Sequence, residues 1–500
     1  MMNLNVLQMA ICSALFIVLA LLCMFGLNNL LLLCLRVKMC RRDGVNVPAN
    51  IEVWPYVTVQ VATYNEGIIV GRLLESCLRL NYPADKIEII VVDDSSDETI
   101  SILQEYERRY YPRIKVIHRS ERKGYKAGAL NEALKHSKGD YILILDADSI
   151  PEPDLLRKTI PLFLADEKLG FVQVKPGYIN AESSWLTRTL ALVNDWFAVF
   201  LQSTLSRCGM MISFLGHGGV FRRRALEDIG GWMSDTIAED IDAAYRIQLK
   251  GWRAVFFEGA ESLEEVPPSY YSAVKRFKRH IKGPIQNLIK HAKSIIRHGG
   301  KSAIEKFEAL IQLAYPLVYP LGLACIILAI LMYLFVSGPA LDQFWLTAPG
   351  FIDSLLLLLM FPYAAFIVSL IPSLLVVVIA LLFAVIILPE SKATLKRRYL
   401  ELVFGVALIW NDNIINCLMP IIEIIIGKEG EWIPTERALS KGKKNSREER
   451  LREGLIRIVA SILVLIALAV ILFLNFSLDS FGIIIPSILW LYSAHLIIRG

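Results

Sequence analysis

The sequence predicts an α/β domain with a mostly parallel sheet, inserted between apolar helices that cross or line a membrane. Three observations predict it. The 500 residues are 55% hydrophobic and only 20% charged, with a mean hydropathy of +0.48, which excludes an ordinary soluble globular protein. The apolar residues are blocked: 5–36 and most of 308–388, 398–426 and 454–498 are apolar runs, whereas 40–300 has the composition of a soluble domain. Inside that middle region, short β-rich runs alternate with helical stretches, the pattern of βαβ units. At roughly 260 residues it is ample for one buried core.

The first apolar stretch, about Val6 to Leu35, is interrupted only by Asn28 and Asn29 and is too long for a cleavable signal core. Arg36, Lys38, Arg41 and Arg42 follow it, so the positive-inside rule predicts an outside N-terminus and a cytoplasmic domain. Residues 308–336 cross outward to Ser337–Gly350, which has no Lys or Arg, and Lys392, Lys396, Arg397 and Arg398 mark a return. Only an odd number of crossings fits between, so 349–388 reads as one span plus an interfacial or re-entrant piece, broken at Pro362 and Pro372. The charged stretch Lys428–Arg452 is also inside. That makes 398–426, with Asn411, Asp412, Asn413 and Asn416, an amphipathic helix on the inner surface. Residues 454–475 and 478–498 form a final hairpin. The total is about five spans, or six if the charge rule fails at 392–398. The expected divisions are 1–37, a transmembrane helix; 50–300, the cytoplasmic domain with its interfacial helices; 305–426, transmembrane and interfacial helices; 427–453, a cytoplasmic loop; and 454–500, the hairpin.

The formal charge of +5 does not argue for a nucleic-acid partner, because many basic residues flank apolar segments and set topology. The eight cysteines show no zinc spacing and no disulfide framework, and read as reduced, mostly packed thiols.

In the central domain, strands are expected at 57–62, 87–93, 113–118 and 141–146, with helices at 67–80, 97–110 and 125–137. Ligands of such sheets bind beyond the carboxyl ends of the strands. Those ends are polar: Thr63-Tyr64-Asn65-Glu66, Asp93-Asp94-Ser95-Ser96 and Asp146-Ala147-Asp148. Neither GxGxxG nor GxxxxGK[ST] follows any of them, which disfavours dinucleotide and P-loop chemistry. Acid pairs at strand ends suit a hard cation, since Mg²⁺ takes one or two carboxylates plus substrate phosphates. A lone Asp-x-Asp is also an ordinary surface turn.

The ordered set VTVQVATYNE, VVDDSSDET, KGYKAGALNEAL, LILDADSIP, FLGHGGVFRRRAL (214–226), GGW (230–232), AEDIDAAYRIQLKGW (238–252) and VPPSYYSAVKRFKRHIKGPIQ (266–286) resembles the inverting family-2 glycosyltransferases of GT-A type. The resemblance covers roughly 55–290. One helix before the domain and several after it are most similar to the cellulose synthase and plant mannan synthase branch. The resemblance implies a Rossmann-like GT-A domain that binds a nucleotide sugar. Tyr64 would stack on the base, Glu66 and Asp94 would contact its polar edges, and Lys126 and Arg279 would approach the diphosphate. Asp146 and Asp148 would hold the nucleotide sugar and a Mg²⁺ or Mn²⁺ ion, which stabilises charge on the departing diphosphate. Asp240 matches the general base, removing the acceptor hydroxyl's proton as the new bond forms. The bland alternatives are that Tyr64 merely packs, that Asp94 caps the following helix, that Lys126 is solvated, and that Glu239 and Arg246 form a helical surface.

The acceptor side departs from the family pattern. Where relatives often read Gln-x-x-Arg-Trp, this chain has Arg276-Phe277-Lys278-Arg279-His280, so His280 offers a smaller face than the tryptophan that supports an acceptor sugar in processive relatives. Ala238 stands where Thr is more frequent, and His217 where mannan-synthase-like members tend to have Thr. His217, Glu239 and His280 are thus expected on the acceptor side. The basic run Lys275–Lys282, continuing through Lys290, Lys293 and Arg297, reads as an interfacial helix facing anionic headgroups. Trp432, Thr435 and Arg437 resemble the gating loop of processive relatives, with an amphipathic linker as the alternative.

Three functions follow. The first is a membrane-embedded, metal-dependent inverting transferase that adds a hexose to a growing β-linked polysaccharide and couples synthesis to export. The second transfers one sugar to a membrane lipid, a polyprenyl phosphate or a glycolipid. The third is a transporter or scaffold with a nucleotide-sensing domain, which the intact Lys126, Asp146, Asp148 and Asp240 argue against. A donor of the UDP-glucose or GDP-mannose type, a glycan or lipid acceptor and membrane lipids are the expected partners.

Overall fold

The computed structural model describes residues 6–39, 51, 53–335, 392–427, 447–475 and 484–499. The chain opens with α1 (Val6–Met39) and continues through β1 (Val57–Thr63), α2 (Ile69–Leu78), β2 (Ile87–Asp93), α3 (Thr99–Tyr110), β3 (Ile114–His118), α4 (Tyr125–His136) and β4 (Tyr141–Asp146). Next come β5 (Ile150–Pro151), α5 (Leu155–Ala165), β6 (Leu169–Tyr178), α6 (Trp185–Asp195), a π-helical stretch Trp196–Gln202, α7 (Ser203–Arg207), β7 (Gly219–Arg222), α8 (Arg223–Asp228), α9 (Glu239–Leu249) and β8 (Arg253–Glu264). The rest is helical: α10 (Tyr270–Arg297), α11 (Ala303–Ala314), α12 (Val318–Phe335), α13 (Lys392–Asn416), α14 (Leu418–Ile425), α15 (Arg447–Asn475) and α16 (Ile484–Arg499).

The strands form one eight-stranded sheet in the order β3-β2-β1-β4-β7-β6-β8-β5. Strands β3, β2, β1 and β4 are parallel, as their helical crossovers require. Both faces of such a sheet are covered, so the seven residues of β2, IEIIVVD, are all buried. Polar positions within it are satisfied in place: the Thr58 hydroxyl donates to Glu88 and the Gln60 amide to Ser137. One core, with Val59, Leu73, Ile89 and Phe163, fills one side. An aromatic-rich core with Phe171, Phe200, Phe214 and Phe221 brings in the π-helical stretch and α7. The second half of the sheet is mixed, with β7 antiparallel to both β4 and β6.

Four helices among the described residues are long and apolar enough to cross a membrane: Val6–Lys38, Ala303–Met332, Glu401–Ile425 and Arg447–Ile471, beside the shorter apolar Ile484–Arg499. The expected external loop and the span within 349–388 lie outside the described residues. Helix α1 packs on α12 through Leu15, Leu19 and Leu22 against Val318 and Cys325. Its last turn is latched to the sheet domain, where Arg36 donates to Glu258 at 2.7 Å and Ser203 at 2.6 Å.

Two expectations change here. Residues 398–426 were read as a surface helix because their polar residues are costly in lipid. Instead Asp412, Asn413 and Asn416 are buried, and Asp412 accepts from Arg457 of α15 at 2.6 and 2.8 Å. A partner from another helix satisfies them, so the segment needs no water-facing side. The α10 lysines read as facing lipid headgroups form ion pairs within the protein: Lys275 with Glu449, Lys278 with Glu453, Lys282 with Glu423, and Lys290 with Asp235 and Asp242.

Candidate active site

Strand register builds the site's floor. Thr63 pairs with Asp93 and Ala62 with Asp146, so three carboxyl ends stand side by side. Two hollows open there and share Lys126 and Asp146. The smaller is lined by Thr63, Tyr64, Glu66, Asp94 and Arg122. The larger, about 360 Å³, is lined from the sheet domain by Asp148, His217, Glu239 and Asp240. It continues between apolar helices, where Trp196, Phe197, Tyr315, Tyr319 and Asn413 complete its wall.

In the smaller hollow, the Arg122 guanidinium lies 3.6 Å from the centre of the Tyr64 ring, an attractive stacking of cation on π-face. Asp94 does not cap α3; both its oxygens take bonds from Arg119, at 2.7 and 2.5 Å. Asp97 serves the helix start instead, accepting from Thr99 N at 3.0 Å. The loop carrying both arginines enters α4 through Gly124 at φ 72° and Tyr125 at φ 49°, a left-handed step that favours glycine at the first position. The sequence reading missed Arg119 and Arg122. Their signal was two basic residues directly after β3 and just ahead of Lys126.

Lys126 is the hub. Its ammonium donates to Asp146 Oδ1 at 2.6 Å and to Gly216 O at 2.9 Å, and stands 3.9 Å from Glu239 Oε1. With its side chain 10% exposed it is no solvated lysine. Burial opposes its charge, but the carboxylates of Asp146 and Glu239 outweigh that and hold its pKa above the ordinary value. Glu239 and Asp240 open α9. Burial raises the pKa of both, and Lys126 partly offsets it. Glu239 therefore belongs to the cavity wall, while Arg246 pairs with Asp242 at 2.7 Å.

His217 is threaded between Gly216 at φ 88° and Gly218 at φ 65°. A Cβ on residue 218 would come within 3.0 Å of Ser262 Cβ, so glycine there sets where the histidine enters. Its ring nitrogens lie 3.4 Å from Ser149 Oγ and 3.6 Å from Glu264 Oε2. Arg276 donates to Glu264 at 3.1 Å. Arg279 and His280 also line the cavity. His280 is exposed and lines the cavity; desolvation by the cavity walls, together with the positive Arg276 and Arg279, pushes its pKa below the usual imidazole value, which favours the neutral ring. Trp432, Thr435 and Arg437 lie outside the described residues.

Among the described residues no three His, Cys, Asp or Glu side chains converge as a self-sufficient metal cage. Asp146 and Asp148 nevertheless fit a hard divalent ion that completes its shell with phosphate oxygens and water, the habit of Mg²⁺. Asp148 is buried and accepts a long 3.4 Å bond from Glu265 N.

The model of "Glycosyltransferase like family 2" matches residues 55–283. Glucomannan 4-beta-mannosyltransferase 1 of Oryza sativa subsp. japonica is 33% identical over 234 residues, 45% of this chain and 44% of the relative. Glucomannan 4-beta-mannosyltransferase 7 of Arabidopsis thaliana is 33% identical over 264 residues, 51% of this chain and 48% of the relative. The chain thus spans about half the length of the curated relatives it matches. Among solved structures, the mannosyltransferase PcManGT from Pyrobaculum calidifontis, in complex with GDP-Man and Mn²⁺, aligns with a TM-score of 0.50 and 25% identity over 74% of this chain and 99% of that one. The α/β sheet, the polar strand ends and the ordered motifs all fall on the matched residues, so the domain at 55–283 is similar to glycosyltransferases of family 2.

Proposed function

We propose that the protein is a membrane-embedded inverting glycosyltransferase that extends a β-linked polysaccharide, with a mannosyl nucleotide as donor. One observation carries the reading. The diphosphate-side groups Lys126, Asp146 and Asp148 and the carboxylate Asp240 share a single cavity that continues between apolar helices. The mannosyltransferase relatives favour GDP-mannose over UDP-glucose as the first donor to test.

In this mechanism the base occupies the smaller hollow beside Tyr64 and Arg122, and the diphosphate meets Lys126 and Arg279. Asp146 and Asp148 would hold a divalent ion, which when bound would supply Lewis-acid stabilisation of the leaving phosphate. Asp240 accepts the proton of the acceptor hydroxyl as that oxygen bonds to the anomeric carbon and the carbon–phosphate-oxygen bond breaks. Attack opposite the leaving group inverts the centre, so an α-linked donor yields a β-linkage. Neutral His280 hydrogen-bonds the acceptor sugar without adding charge. It is a narrow platform, but Trp196, Phe197, Tyr315 and Tyr319 give the cavity further ring faces for a chain of sugars. This supports polymer synthesis, and passage toward the helices, over transfer of one sugar to a lipid. Basic residues after α1 and before α13 support a cytoplasmic domain.

The test is a radiolabelled GDP-mannose and UDP-glucose panel in membranes, with products split into polymer and lipid-extractable fractions. The wild type is expected to make polymer. Asp240→Asn is expected to lose transfer while retaining nucleotide binding. Label confined to the lipid fraction refutes polymer synthesis, and substantial turnover by Asp240→Asn removes that residue as the base.

A further inference from the structure

We propose that α10 is the positioning element for the base-bearing segment, acting through Gly283, Gln286, Asn287 and His291. The proposal rests on the reading of Asp240 as base. Helix α9 starts without a side-chain cap: Ala238, at its N-cap, has φ −115° and ψ 74° and no capping side-chain bond. Local bonds are few: Ile241 N donates to Asp240 Oδ1 at 2.8 Å and the Thr236 hydroxyl to Ala238 O at 3.2 Å. Further fixing groups come from α10. Ile237 N donates to Gln286 Oε1 at 2.9 Å. Asn287 Nδ2 donates to Ala238 O at 3.2 Å, and a 3.0 Å bond to Gly283 O within its own helix fixes that amide. One turn on, His291 Nε2 and Lys290 Nζ lie 2.9 and 2.7 Å from Asp242 Oδ1.

These residues recur at three- and four-residue spacing, which places them on one helix face. Close approach is possible because residue 283 is glycine: a Cβ there would stand 2.6 Å from the Cβ of Ala238. Backbone on one side and a methyl on the other leave little room for the segment to shift. The same helix carries Arg279 and His280 into the cavity and is bound to α14 and α15 through Lys282, Lys275 and Lys278. One rigid rod therefore references the base to both the acceptor wall and the apolar helices. A displacement of about 1 Å in such a group costs on the order of 100-fold in rate.

The test compares variants of the full-length membrane enzyme with saturating acceptor. Gln286→Leu shortens the side chain by one atom and loses the acceptor oxygen. It is expected to lower kcat about 10- to 100-fold, with donor KM and melting midpoint close to wild type. Gln286→Glu restores an acceptor oxygen and is expected to recover most of kcat. Gly283→Ala is expected to lower kcat, and Gly283→Ala with Ala238→Gly to regain it, since the second change removes the colliding methyl. Wild-type kcat in Gln286→Leu, a parallel fall of kcat, donor affinity and melting midpoint, or failure of both compensating changes overturns the proposal. Asp240→Asn, run alongside, separates the two readings: if it is active the base assignment fails, whereas if it is inactive and Gln286→Leu is normal only the positioning role fails.

Discussion

Removing Asp412 leaves the most deeply buried cation of the described helices short of its main partner. Arg457 is 0% exposed and Asp412 2%. Asp412 takes two of the guanidinium's bonds, while Asn416 Oδ1 at 2.5 Å and Glu453 Oε2 at 3.2 Å take others. Breaking one side of a buried pair costs about 3–5 kcal/mol, because the surviving charge stays desolvated. Since Glu453 remains to compensate, Asp412→Leu is expected near the lower end, about 3 kcal/mol. Arg457→Met leaves Asp412 with neutral donors such as Ser493 Oγ at 2.7 Å and is expected nearer the upper end of that range. The double variant deletes both charges and is expected between wild-type stability and a gain of about 1–4 kcal/mol. The assay is a double-mutant cycle of unfolding free energies in detergent, followed by tryptophan fluorescence. A single variant within about 1 kcal/mol of wild type, or strict additivity of the two, would show that the pair contributes no coupling.

Asp148→Ala is expected to lose metal-dependent donor binding, and EDTA to reproduce the loss in the wild type; full activity in EDTA contradicts a divalent ion. Burial raises the pKa of Asp240, with Lys126 offsetting part of the rise. A base works only when ionised, so kcat should fall as pH drops through a value above the ~3.9 of a free Asp. An acid limb at or below the free value contradicts that environment. Trp432→Ala with Arg437→Ala is expected to keep nucleotide binding but lose most polymer, measured as product yield and length; wild-type chains would make 427–453 a plain linker.

The first half of the sheet was legible because each strand is a buried apolar run ended by polar residues. Expected strands at 87–93 and 141–146 coincide with β2 and β4. Strands β6, β7 and β8 were not anticipated. They mix parallel and antiparallel pairing, and β7 is only four residues long, too short for an alternating pattern to register. At the site, the motif residues Lys126, Asp146, Asp148 and Asp240 could be named in advance because each sits in a dense local motif. Arg119, Arg122, Gln286 and Asn287 could not, since their work depends on partners brought near by the fold. The same blindness led the α10 lysines toward lipid: Glu449 lies 174 residues from Lys275, beyond any periodicity. For Asp412 the cost in hydrocarbon was correctly foreseen, but not the arginine 45 positions later that meets it.

The latch at the end of α1 also bears on the order of biosynthesis. Arg36 leaves the ribosome 222 residues before Glu258, and the edge strand β5 must wait for β8 to pair with it. During that interval the nascent chain holds an unneutralised guanidinium at the end of α1 and an open sheet border. Even a completed domain lacks the glutamates that brace α10, which arrive 141 to 175 residues after their lysines. A ribosome stalled before residue 423 would display a formed sheet whose long helix is still loose. Competence for catalysis therefore comes late in translation, after the helices that anchor it have been made.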